Sequence, residues 1–210
     1  MQYHFITIEG NIGAGKTTLA RMLGERLNAR LILEQFADNP FLPKFYEKPA
    51  EYAFPLELFF MAERYKQLKE VLSTRDLFRQ TIVSDYLFTK SLLFARVTLP
   101  DEEYRLYQQL FDIINPQLVQ PDLLIYLHAP VHRLQQNIRK RSRHYEQNIS
   151  ADYLVKLQDA YVQYFKQHPF RTLVIDVSKA DFENQPEQFE QILEALENDY
   201  EPGQHYLTLE

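Results

Sequence analysis

At 210 residues the chain is sized for one domain of roughly 100–200 residues, and a composition of 45% apolar and 25% charged residues supports a buried core. The absence of cysteine excludes disulfides, thiolate metal sites and a cysteine nucleophile, and a formal charge of −6 argues against non-specific nucleic-acid binding. The sequence has neither a secretory leader pattern nor an apolar run of about 20 residues, so the expectation is a cytoplasmic protein with no membrane or nucleic-acid partner.

Short apolar runs alternate with amphipathic stretches. His4 to Glu9 (HFITIE) reads as a buried strand, and Lys16 to Leu27 as a helix with Leu19, Met22, Leu23 and Leu27 at helical spacing. Arg30 to Glu34 (RLILE) is a second strand, after which Pro40, Pro43 and Pro49 punctuate short helical pieces. A longer helix runs from Phe54 to Leu72, followed by a strand at Thr81 to Asp85 and an apolar helix around Leu87 to Val97. Pro100 with Asp101, Glu102 and Glu103 marks a helix start, because acids suit the positive end of the helix dipole. Leu123 to Leu127 and Leu173 to Ile175 are the remaining strands. Between them lie a basic helix from Val131 and another opening near Ser150. Gln188 to Leu196 reads as a last helix and residues 200–210 as a peripheral tail. Apolar strands separated by helices imply a single α/β domain over residues 1–210, its parallel sheet covered on both faces.

Five glycines serve the whole chain, and Gly10, Gly13 and Gly15 fall within six residues. They belong to Gly10-Asn11-Ile12-Gly13-Ala14-Gly15-Lys16-Thr17, which matches G-x-x-x-x-G-K-[ST] between a strand and a helix. Such a loop turns successive backbone N–H groups toward phosphate oxygens at the positive end of the next helix. Lys16 is then placed for the β- and γ-phosphates and the Thr17 hydroxyl for Mg²⁺. A nucleoside triphosphate site is expected.

The P-loop, Glu34, NPFLPKFYEKP, FPLELFFMAERYKQL, SDYLFTKSLLFA and RKRSRHYE occur in that order. Together they resemble the deoxynucleoside kinase family, most closely its bacterial deoxyguanosine/deoxyadenosine kinase branch, from about residue 3 to residue 182. The resemblance implies a P-loop kinase fold, with a five-stranded parallel sheet flanked by helices and a basic lid. It also implies a homodimer that passes the γ-phosphoryl of ATP, with Mg²⁺, to the 5′-hydroxyl of a deoxynucleoside.

Residue roles follow from the same resemblance. Glu34 is the general base, and Asp85 joins Thr17 near Mg²⁺. Thr18 extends the ATP-binding loop, Arg141 and Arg143 belong to a lid over the phosphates, and Asp181 and Phe182 hold the adenine of ATP. Tyr46 and Glu146 meet the sugar 3′-hydroxyl, while Glu57 and Arg64 read the base. The family most often has glutamine where Glu57 stands. An ionised carboxylate only accepts hydrogen bonds, which suits the adjacent N1–H and N2–H₂ donors of guanine, with O6 left for Arg64. Adenine pairs a donor with a bare N1, which a carboxylate repels. Deoxyguanosine is therefore expected first and deoxyadenosine second.

The sequence departs from the family in two places. Asp85-Tyr86-Leu87 replaces an acid-Arg-Ser triplet, with Lys90 as candidate substitute for the arginine, and Asn137 stands where relatives carry a lid arginine. Two alternatives stay open. One is a nucleoside-monophosphate kinase of thymidylate-kinase type, although Glu34 stands where that enzyme needs arginines. The other is an ATP-binding regulator with impaired catalysis, suggested by Tyr86.

Overall fold

The computed structural model describes residues 2–35, 39–73 and 81–210. Strand β1 (Phe5–Gly10) is buried along its whole length and feeds the glycine loop into helix α1 (Lys16–Arg26). Strand β2 (Arg30–Ile32) is followed by α2 (Leu42–Glu47) and the long α3 (Pro49–Ser73). Strand β3 (Ile82–Ser84) leads to α4 (Lys90–Thr98) and α5 (Asp101–Ile114). Strand β4 (Leu123–His128) precedes α6 (Val131–Arg141) and α7 (Ala151–Gln167), and β5 (Arg171–Asp176) precedes α8 (Pro186–Ala195) and β6 (Gly203–Thr208). The strands form one sheet in the order β2-β3-β1-β4-β5-β6, every neighbouring pair parallel.

Side-chain alternation assigns the two faces. Ile6, Ile8, Leu123, Ile125, Leu127, Leu173 and Ile175 point to one side, where Leu19 and Leu23 of α1, Leu134 and Ile138 of α6 and Ile192 of α8 cover them. On the other side Leu124 and Tyr126 meet Tyr161 and Phe165 of α7 and Leu93 of α4. A third cluster joins α3 and α5 to the β2 side of the sheet through Leu56, Met61, Tyr86, Phe88, Tyr107 and Phe111. Burying both faces is what makes parallel strands read as continuous apolar runs.

Local signals set the helix ends. Asp101, Glu102 and Glu103 occupy the first turn of α5 behind Pro100. The Ser150 side chain caps α7, accepting a hydrogen bond from the Tyr153 N–H at 3.1 Å. Gly24 lets α1 approach β2, since a Cβ there would lie 2.5 Å from the Leu31 side chain. No helix among the described residues is long and apolar enough to cross a membrane.

The sheet has six strands, not five, and the expected peripheral tail supplies the sixth. Residues 203–208 pair with all six residues of β5 from Arg171↔Gly203 to Asp176↔Thr208. This strand carries no apolar run because it sits at the sheet edge and is held by its backbone ladder. Its residues alternate between half-buried and exposed, and Tyr206 is 75% exposed. Removing residues 203–210 therefore bares the hydrogen-bonding edge of β5. The expected outcome is a lower thermal midpoint and concentration-dependent light scattering, with the distant β1–β3 end of the sheet still folded by circular dichroism. An unchanged midpoint would show that β6 contributes no stability.

Candidate active site

The strand order builds the site. Because β3 lies between β2 and β1, the segments leaving these three strands emerge side by side at their carboxyl ends, where open α/β sheets bind ligands. They carry Glu34, Asp85 and the glycine loop respectively. In that loop Gly13 has φ 84°, and a Cβ there would lie 2.7 Å from the Leu134 carbonyl oxygen. Only glycine fits both the left-handed backbone and the close approach of α6. The Lys16 ammonium donates to the carbonyls of Gly10 and Asn11, each at 2.9 Å. Burial and the nearby Lys90 charge bring it down to about 8, against the pull of Glu9, Glu34 and Asp85. Asn11 anchors the loop to α7 through the Leu154 carbonyl at 2.8 Å.

A chain of oxygens crosses the strand ends. Thr17 donates its hydroxyl to Asp85 Oδ2 at 2.5 Å, and Asp85 Oδ1 accepts the Glu34 N–H at 2.7 Å. A hydroxyl and a carboxylate adjoining a phosphate loop are hard oxygen donors of the kind Mg²⁺ takes when substrate phosphates fill most of its coordination. Among the described residues no cluster of three or more His, Asp or Glu could hold a metal ion.

Glu34 is gripped from two helices. Its Oε2 meets the Lys90 ammonium at 2.5 Å, and its Oε1 accepts from Arg64 Nε at 2.8 Å and Nη2 at 2.5 Å. Burial alone would raise its pKa, but the Lys90 and Arg64 charges and hydrogen bonds outweigh that and hold the carboxyl well below the usual range. Arg64, expected to read the base, lines the first cavity with Glu57, and its guanidinium also faces Glu34 and, through Nη1, the Ser91 hydroxyl at 2.8 Å. Tyr86 does not face the cavity at all. Fully buried in the α3–α5 cluster, it donates its hydroxyl to Gln67 at 2.8 Å, while Lys90, first residue of α4, brings the positive charge to Glu34.

Two cavities meet at the glycine loop. The first is lined by Ile12, Glu34, Tyr46, Glu57, Arg64, Asp85 and Glu146, the second by Ala14, Gly15, Thr18, Asp181 and Phe182. Gly13, Lys16, Thr17, Arg141 and Arg143 line both, forming the seam between them. Gly10 and Asn11 line neither and shape the loop from behind. Arg141 and Arg143 both pair with Glu146, drawing the lid over the seam. Tyr46 stacks on Tyr145 at 6.1 Å between ring centroids. Glu57 is 1% exposed, with Oε1 accepting from the Thr98 hydroxyl at 3.0 Å and Oε2 buried without a partner. Burial pushes this carboxyl up to about 7 against the opposing Arg64 charge and Thr98 hydrogen bond.

Glu9 and Arg133 escaped the sequence reading. Glu9, buried in β1, accepts from the Leu87 N–H at 2.7 Å, the Gly10 N–H at 3.1 Å and the Tyr161 hydroxyl at 2.8 Å. It thereby ties the glycine loop, the β3–α4 turn and α7 to one point. A carboxylate closing an otherwise apolar strand was the available signal. Asn137 supplies no charge, donating instead to the Gly13 carbonyl at 2.8 Å. Arg133 reaches the Ala180 carbonyl at 3.1 Å beside Asp181 and Phe182 in the second cavity.

The deoxynucleoside kinase family profile matches residues 6–200. A deoxyguanosine kinase of Bacillus subtilis (strain 168) is 37% identical over 196 residues, covering 90% of this chain and 93% of its own. A deoxyadenosine kinase of Dictyostelium discoideum is 33% identical over 192 residues, covering 90% and 78%. In fold the chain is similar to the structure of deoxyadenosine kinase from M. mycoides with bound dATP, at a TM-score of 0.79 and 24% identity over 92% of this chain and all of the other. With the family matched along nearly its whole length and a phosphate loop leading to buried carboxylates, this chain belongs to the deoxynucleoside kinases and is a phosphotransferase.

Proposed function

We infer that the protein transfers the γ-phosphoryl group of ATP to the 5′-hydroxyl of a purine deoxynucleoside, deoxyguanosine before deoxyadenosine, in nucleotide salvage. The observation that carries this reading is the pair of cavities sharing the seam of Gly13, Lys16, Thr17, Arg141 and Arg143. A donor nucleotide in the second cavity and an acceptor in the first bring the γ-phosphate and the hydroxyl together at that seam.

Each chain residue then has a task. The loop N–H groups and Lys16 hold the β- and γ-phosphates, and Asp181 and Phe182 bound the adenine end. Thr17 and Asp85 would hold Mg²⁺, which when bound with the triphosphate offsets charge on its oxygens. Glu34 orients the 5′-hydroxyl and accepts its proton as the bond to phosphorus forms. Its depressed pKa makes it a weak base, which suits a loose transition state where positioning outweighs early proton removal. Arg141 and Arg143 offset charge on the transferring group, and Tyr46 and Glu146 meet the 3′-hydroxyl. Lys90 takes the part of the missing arginine as a positioning residue that keeps Glu34 ionised. For the base, the unpartnered Oε2 of Glu57 supports the match to guanine's paired donors. Glu34 with its two cations also argues against a thymidylate-type kinase, and the charge supplied by Lys90 removes the motive for a catalytically impaired regulator.

A cytoplasmic homodimer remains our expectation. Val155 and Val162, seven residues apart on α7 and both exposed, offer one apolar stripe for self-association, and light scattering on the purified protein gives the mass that decides it.

Turnover with ATP, Mg²⁺ and each of the four deoxynucleosides tests the central reading. Deoxyguanosine should give the highest kcat/KM, and no turnover on any nucleoside would overturn it. Glu57→Gln should lower deoxyguanosine relative to deoxyadenosine by roughly tenfold or more, the scale of one mismatched buried hydrogen bond. Arg141→Ala should lower kcat by about 10²-fold with little change in KM, as for loss of a transition-state charge partner; an unchanged kcat would leave it a surface residue.

Lys90→Met has a sign that can be worked out. Removing one cation raises the Glu34 pKa, so the acid limb of kcat/KM for deoxyadenosine moves to higher pH. Paired Glu34 also stabilises the fold above its ordinary value of 4.5, a contribution lost as pH falls toward the depressed native value. An acid limb that stays in place would restrict Lys90 to packing.

A further inference from the structure

We propose that Glu57 is a proton-controlled selector between the two purines, taking guanine as a carboxylate and adenine as a neutral carboxylic acid. This deepens the reading above and rests on it, since it assumes that the Watson–Crick edge of a bound purine meets Glu57.

The geometry carries the inference. Glu57 lies in the wall of the acceptor cavity with almost no solvent exposure. One oxygen, Oε2, has no hydrogen-bond partner, and Oε1 accepts a single bond from the Thr98 hydroxyl, whose oxygen also lies 2.9 Å from the Phe94 carbonyl, so the two acceptors share one proton. Both carboxyl oxygens thus keep capacity for a ligand. The Arg64 charge opposes the effect of burial on Glu57, but Arg64 places Nε and Nη2 on Glu34 and Nη1 on Ser91 rather than on Glu57. A carboxyl left half-satisfied in a buried wall is a group whose charge the ligand can set.

The two states present different edges. Ionised, Oε1 and Oε2 both accept, matching N2–H and N1–H of guanine. Protonated on Oε2, the same group offers an O–H donor beside a carbonyl acceptor, the arrangement of a carboxamide. It then donates to adenine N1 and accepts from adenine N6–H. No covalent bond to carbon changes. Deoxyadenosine binding to the ionised form takes up one proton from solvent, and deoxyguanosine binding to the neutral form releases one.

The surrounding groups leave the switch to Glu57. Arg64 on the same helix has its pKa raised by Glu34 in spite of burial, and Glu34 after β2 is held low, so both stay charged through neutral pH. Tyr46 of α2, Tyr107 of α5, whose hydroxyl donates to the Glu57 backbone carbonyl at 3.1 Å, and Tyr153 of α7 are all pushed up by burial and stay neutral. Lys90 of α4 pairs with Glu34, and Glu146 in the lid pairs with Arg141 and Arg143. Glu57 itself, at about 7, changes charge within the accessible range.

Competition provides the test. Deoxyguanosine and deoxyadenosine are supplied together with ATP and Mg²⁺ from pH 5.5 to 8.5, and the ratio of the two monophosphates is read at low conversion. Effects of pH on Glu34, Lys16 or the triphosphate act on both products and cancel in the ratio, and neither purine ring titrates in this interval. The deoxyguanosine preference should rise with pH, approaching tenfold per unit through the transition and levelling off on either side. Glu57→Gln should give a ratio that is flat with pH and shifted toward deoxyadenosine. Thr98→Val, which removes a donor that favours the ionised form, should move the midpoint to higher pH while keeping the slope. A flat ratio in the wild-type protein with both purines phosphorylated, or a slope that survives in Glu57→Gln, would overturn the selector and leave the kinase reading standing. Absence of both products would instead overturn the kinase reading itself.

Discussion

The site is organised around one buried carboxylate. Glu34 leaves the sheet edge and is met by Arg64 from α3 and Lys90 from α4, so three separate elements converge on a single negative charge. Taking an ion out of water costs several kcal/mol, and such a group persists only when partners of opposite charge and good geometry replace the solvent. The arrangement therefore constrains the helices as much as they constrain it. Loss of either cation would leave the other charges poorly balanced. The grip also fixes what Glu34 can do, since a carboxyl held far below its usual pKa positions a hydroxyl better than it strips a proton from one.

Three acidic side chains of this site sit in different surroundings and differ accordingly. Glu34 has two cations and stays ionised. Glu9, enclosed by β1, α7 and the β3–α4 turn, has its pKa raised because burial outweighs the distant charges of Lys90 and Lys16 and its hydrogen bonds. Glu57 has one hydroxyl donor and lies near an arginine occupied elsewhere, and burial raises its pKa to about 7. The same functional group thus serves as anchor, structural tie and base-edge partner, and the neighbours decide which. The lid repeats the pattern, with Glu146 gathering Arg141 and Arg143 over the seam where the two cavities join.

Much of this was legible in the chain. The phosphate loop could be read because its geometry is local: glycines, a lysine and a threonine at fixed offsets between a strand and a helix carry their own mechanical reason. The helices of residues 16–26, 101–114 and 151–167 were legible for similar cause, through periodicity, first-turn acids and a serine cap. The resemblance of ordered segments placed Glu34, Asp85, Glu57, Arg141 and Glu146 in one site, and all of them line the two cavities. The sixth strand was missed because an edge strand needs only a backbone partner, which no hydrophobic pattern announces.

The sequence by itself determined a phosphate-binding loop, a doubly covered parallel sheet and a set of chemically suitable carboxylates and arginines. Tertiary structure decided who pairs with whom. Arg64, expected to face a base, also pairs with Glu34, a buried carboxylate 30 positions away in the chain. Tyr86, which looked like a lost charge, is a core residue, and Lys90 one helical turn beyond it carries the charge inward. Spacing along a chain specifies which groups share a helix face or a strand end. The energy of a buried charge depends on every element that closes around it, and that is settled only when the chain has folded.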